Sequence, residues 1–186
     1  MNEVELIRHQ LALERTHVGA VANACANALQ SDAGAVAGDS LRQFRGACID
    51  YLACVLAWFE ERDQRLTDLL ETRFKATESA RRTLEEALAR PGRSREVLAK
   101  LEAACAGTPS SASADRQGWR EFADFFNGVW STRRDALDAL LSTNSRTTDW
   151  RTLGGIDADS ILEERRRYAQ VSAQIPPGMS LGAKPP

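Results

Sequence analysis

The sequence predicts an all-α protein: an up-down-up-down four-helix bundle with long helices and an appended C-terminal helix. Three observations carry this expectation. No proline occurs between Met1 and Arg90, and since a proline costs a helix interior about 3 kcal/mol, that stretch is open to very long helices. Apolar residues recur at alternating steps of three and four, the spacing of one helix face. β-branched residues are sparse and never alternate, so strands lack their signal.

The first helix is expected from about Glu3 to Leu29. Val4, Ile7, Leu11, Val18, Val21, Cys25 and Ala28 form a heptad seam, and Leu6, Leu13, Ala20 and Ala24 widen it into a bundle face. Gln30 to Gly38 is small and glycine-bearing and reads as a loop. A second helix opens at Asp39-Ser40, where Ser40 and Gln43 have the spacing of a capping box. It continues through Leu41, Cys48, Leu52, Val55, Phe59, Leu66 and Leu69 to about Arg73. The third spans about Thr77 to Arg90, breaks at Pro91-Gly92, and resumes behind a Ser94 cap through Val97, Leu98, Leu101 and Cys105.

After a polar turn around Pro109, the fourth helix runs from about Ala114 to Asn144 with Trp119, Phe122, Phe126, Val129, Leu137 and Leu140 on one face. A link through Asp149-Trp150 and Gly154-Gly155 leads to the last helix, capped by Asp157 and ending near Val171. Residues 1–171 thus form a single helical domain. Residues 172–186 include Pro176, Pro177, Pro185 and Pro186 and are expected to be a flexible tail.

Composition narrows the function. Lys and Arg total 24 against 26 Asp and Glu, a balance that argues against a nucleic-acid binder, which needs a basic face. The clusters Arg81-Arg82 and Arg165-Arg166-Arg167 stand beside Glu85-Glu86 and Glu163-Glu164 and read as solvated faces with local ion pairs. No apolar run reaches the length of a membrane span. The start, Met1-Asn2-Glu3-Val4-Glu5, lacks a signal-peptide pattern, so a cytoplasmic location is expected. Cys25, Cys48, Cys54 and Cys105 form no C-x-x-C pair and suit buried thiols in a reducing compartment. Without G-x-S-x-G or a glycine-rich phosphate loop, catalysis lacks its usual motifs, and an enzyme is not the expectation.

The functional signal lies where polar residues interrupt the seams. Glu14 stands where the first heptad calls for an apolar residue, and Gln10 and His17 flank it at four before and three after, on one face. His9 points to the opposite side. On the second helix the seam Leu52, Val55, Phe59 is next filled by Arg62, with Asp63 at the edge of the arc. On the fourth, Phe122, Phe126 and Val129 lead to Arg133. Antiparallel pairing sets these positions at similar heights, which predicts one buried polar layer of Gln10, Glu14, Arg62 and Arg133 with His17 a turn away. Such a layer is either an internal ion-pair network or a pocket whose surplus positive charge suits a small carboxylate or phosphate. Phe125 and Trp130 spread beyond the seam, toward the C-terminal helix or a second subunit, so a homodimer is a further expectation.

Glu14-Arg15-Thr16-His17 is a Glu-x-x-His spacing. In this, and in helical architecture over about its first 145 residues, the chain resembles the ferritin-like and hemerythrin-like four-helix bundles. The resemblance implies Glu14 and His17 as metal ligands, with iron or zinc as the metal. A ferritin-like site also implies a second Glu-x-x-His and glutamates from two other helices, and a hemerythrin-like one implies several histidines on different helices. This chain has one such motif, and His9 and His17 share one helix. The primary expectation is a non-catalytic cytoplasmic bundle acting through protein contacts or a small internal polar pocket. The alternative is a metal-binding protein with an unusual or degenerate site.

Overall fold

The computed structural model describes residues 2–28, 38–73, 82, 95–103, 117, 118, 120–125, 145–154 and 158–182. Among these the protein is all-helical, with α1 at Glu3–Ala28, α2 at Gly38–Arg73, α3 at Thr147–Gly154 and α4 at Ala158–Ala173. Residues 95–103 and 120–125 are also helical. All but residue 82 of the expected helix over 77–90, the Pro91-Gly92 break, Arg133 and most of the expected fourth helix lie outside the described residues. No helix among the described residues is long and apolar enough to cross a membrane.

Reciprocal bonds start α1. Asn2 Oδ1 accepts the Glu5 N–H at 2.9 Å, and Glu5 Oε2 accepts the Asn2 N–H at 2.8 Å. This is a capping box built on Asn, and Glu3 and Glu5 add favourable charge to the first turn. The expected seam is then sorted by its neighbours. Val18, Val21 and Cys25 are buried, whereas Leu6 is 50% exposed because Ile7, one residue and about 100° around the helix, faces α3 instead.

The second helix begins at Gly38, one residue ahead of the expected Asp39-Ser40 opening, and its 36 residues span about 54 Å. Among the described residues it supplies the largest share of the core: Phe44, Cys48, Tyr51, Leu52, Val55, Leu56 and Phe59. Leu101 and Phe122 join the same cluster from the other helical stretches. Each large apolar side chain buried there contributes about 1.5–3 kcal/mol.

Two findings differ from the sequence expectation. The link at Asp149-Trp150 is itself a helix, α3. Asp149 Oδ2 accepts the Arg146 N–H at 2.7 Å to cap it, and Trp150 and Leu153 turn inward. Arg8 stacks on the Trp150 ring at 5.3 Å, and Arg151 pairs with Glu3, so this short helix is clasped to α1. Second, α4 is a member of the core, packed chiefly on α2. The chain beyond it stays with the molecule: Pro177 and Gly178, the latter at φ +86°, form the corner of a turn closed by Met179 N–H to Pro176 O at 3.2 Å. That turn lays Ile175, Met179 and Leu181 against the core, within the stretch 172–186 that the sequence predicts to be a flexible tail.

The approach of α3 to α1 is close. A Cβ added at Gly154 would stand 2.9 Å from Ile7 Cγ2, on a β-branched and stiff side chain. Gly154→Ala is therefore expected to lower stability by about 1–3 kcal/mol in urea unfolding. An unchanged midpoint would show that the helices separate freely.

Candidate functional site

Two buried glutamates, Glu14 and Glu164, bridge the helices, one foreseen and one not. Glu14 is 1% exposed and Gln10 is 8% exposed, one turn apart on the inward face of α1. Arg62 reaches Glu14 from α2 in a fork, Nη1 donating to Oε2 at 2.5 Å and Nη2 to Oε1 at 3.4 Å. Gln10 Nε2 donates to the same Oε1 at 3.3 Å. The remaining edge of the guanidinium is turned to α3, where Nε donates to the Gly154 carbonyl at 3.2 Å. One positive and one negative charge thus face each other with all three guanidinium nitrogens engaged, and three helices meet at the pair.

His17 is on the same face of α1 but belongs to a second centre. Its Nδ1 lies 2.7 Å from Glu164 Oε1, and Tyr51 donates its hydroxyl to that same oxygen at 2.8 Å. Glu164 is fully buried and ties α4 to α1 and α2. A carboxylate accepts, so Nδ1 of His17 carries the hydrogen. Tyr168, one turn past Glu164, stacks on the His17 ring at 3.8 Å and an interplanar angle of 13°. Its ring centre is 5.9 Å from that of Tyr51.

The electrostatic consequences are local. Burial, and then the charge of Glu164, push the Tyr51 phenol far above its usual range, and Tyr168 is raised for the same two reasons. Next door the surface behaves oppositely: hydrogen bonds from Arg166 and Arg167 hold the half-buried Glu163 carboxyl down at about 2. Those arginines are spent on Glu163, at 2.8 and 2.6 Å, as the sequence reading of local ion pairs expected. Cys25, Cys48 and Cys54 are thiols. Burial pushes the Cys54 thiol up, away from nucleophilic use.

Of the predicted layer, the structure brings Gln10, Glu14 and Arg62 together and places His17 beside them, on a different carboxylate. The side chains of Asp63 and Arg133 lie outside the described residues. Glu14 and His17, the two ends of the Glu-x-x-His motif, are committed to different partners. Among the described residues no three His, Cys, Asp or Glu side chains are grouped to hold a metal ion.

Sequence reasoning missed Glu164, Tyr51 and Tyr168, although the signal was there. Ile161, Glu164, Tyr168, Val171 and Ile175 step by three and four, so Glu164 breaks a seam just as Glu14 does. Its place beside Glu163 and the arginine triplet made it read as surface charge. Compared with known proteins, the chain matches no protein family, no curated protein and no solved structure.

Proposed function

We propose that the protein is a non-catalytic helical module that works through contacts with other proteins, a second copy of itself included, and that its Glu14–Arg62 layer is an internal lock. The observation that carries this is the fork itself. Arg62 spends Nε, Nη1 and Nη2 on Gly154 and Glu14, so the pair leaves no surplus charge for a small carboxylate or phosphate. The chemistry around it is equally quiet, since the Cys54 thiol is raised and His17 is held by Glu164. What the described surface offers a partner includes Leu162, which is 62% exposed on α4, and Leu6 on α1.

Two measurements on the full-length protein test this reading. Sedimentation velocity over a wide concentration range is expected to show association that Leu162→Glu weakens. Thermal melts in phosphate, acetate and citrate are expected to match chloride at equal ionic strength. A saturable rise in melting temperature with one of these anions, lost in Arg62→Met, would show a pocket in place of a lock.

A further inference from the structure

The bonding of Glu164 is lopsided. Oε1 accepts from Tyr51 at 2.8 Å and from His17 at 2.7 Å, while Oε2, on a side chain with no exposed surface, has no hydrogen-bond partner. A buried carboxylate oxygen left this way is costly, and the group that relieves it is a donor, best a charged one. Three arginines of the described residues are engaged elsewhere. Arg166 and Arg167 hold Glu163, and Arg62 holds Glu14. Among the described residues, His17 is the only ionisable base bonded to Glu164.

The aromatic neighbours of the Glu164 carboxylate have the matching character. Tyr168 follows Glu164 by one helical turn on the same face, Tyr51 stands across from it, and aromatic faces attract cations. His17 is 16% exposed and Tyr168 is also partly exposed, so their stack is where the cluster reaches solvent, whereas Tyr51 and Glu164 are buried. We propose that Glu164 anchors a binding site for a small primary ammonium group, held by Oε2, walled by Tyr51 and Tyr168, and entered at the His17–Tyr168 stack. The charge preference is opposite to the one Arg62 pointed to in the sequence, and the residues are other than the Glu14 layer.

The chain has two histidines, and His9 is exposed on the far side of α1, so nitrogen-15 NMR of the imidazoles reads the site with a built-in reference. The full-length protein is titrated with methylammonium chloride, and separately with tetramethylammonium chloride, at constant ionic strength. The expected result is a saturable shift at His17 with methylammonium, none at His9, and none with the bulky ion that has no N–H to donate. Glu164→Gln keeps the shape and the Oε1 acceptor and is expected to weaken binding about tenfold or more. Should that variant fail to fold, Tyr168→Leu is expected to weaken binding several-fold through loss of the aromatic wall. A His17 signal that does not move, that moves alike with both salts, or that moves undiminished in a folded Glu164→Gln or Tyr168→Leu overturns the proposal. A single trapped water on Oε2 gives the first of these results.

Discussion

Arg62→Met is expected to lower the unfolding free energy by about 3–5 kcal/mol in urea titration. The loss does not come from the packing of the arginine, since methionine replaces much of its volume. It comes from Glu14, which is 1% exposed and retains only the single bond from Gln10, at 3.3 Å, once the fork is gone. A buried carboxylate in that condition must either stay charged without a partner or take up a proton, and both routes cost free energy. Arg62→Lys restores the charge but not the geometry. A lysine is a point donor that cannot span both Glu14 oxygens and the Gly154 carbonyl together, so it is expected to recover part of the loss. If Arg62→Met leaves the urea midpoint unchanged, Glu14 is not held as described.

Alkaline pH is expected to weaken the fold through Tyr51. Its phenol is raised in the folded protein by burial and by Glu164, whereas in the unfolded chain it titrates near 10. The folded state therefore keeps a proton that the unfolded state releases. Stability is fully present below pH 10 and falls as pH rises past it, by up to about 1.4 kcal/mol per pH unit for each such phenol. Tyr168 acts in the same sense, as does Cys54 from its lower usual value of 9.0, so a Cys54→Ala background isolates the phenols. Urea unfolding at pH 9, 10 and 11 reads the slope, and absorbance at 295 nm reads the phenolates. The expected pattern is phenolate appearing together with unfolding, and a shallower slope in Tyr51→Phe. That variant also loses a donor to the buried carboxylate and is expected to cost about 1.5–3 kcal/mol at neutral pH. Both phenolates forming near pH 10 in a protein that remains folded would contradict the buried Tyr51–Glu164 bond.

The Glu14–Arg62 contact could be read from sequence because both residues interrupt regular seams, and the antiparallel turn from α1 to α2 sets their relative height. Gln10 came with them by its four-residue spacing. His17 was read on the correct face, but its partner was not. Glu164 lies 147 residues further along, and no local pattern encodes which of α1's neighbours α4 will become. Within α4 the seam Ile161 to Ile175 marks Glu164 as inward, yet the surrounding charges mask it. The helical link at α3 was obscured by Gly154-Gly155, which resembles a turn in sequence. In the structure Gly154 lets α3 approach Ile7 and presents its carbonyl to Arg62. The packing of 174–182 was hidden by prolines that read as an ending but form a tight corner.

A double-mutant cycle at Glu14 and Arg62 tests the central claim, that the buried ion pair is a closed lock between helices. Unfolding free energies are compared for the wild type, Glu14→Leu, Arg62→Met and the double variant. The lock predicts two costly single changes and a double variant that regains most of the loss, because Arg62→Met strands the buried Glu14, Glu14→Leu strands the part-buried Arg62, and the double strands neither. The coupling is then about 2–3 kcal/mol. Single changes that add to within about 0.5 kcal/mol would mean the two side chains act independently, and the lock would not exist.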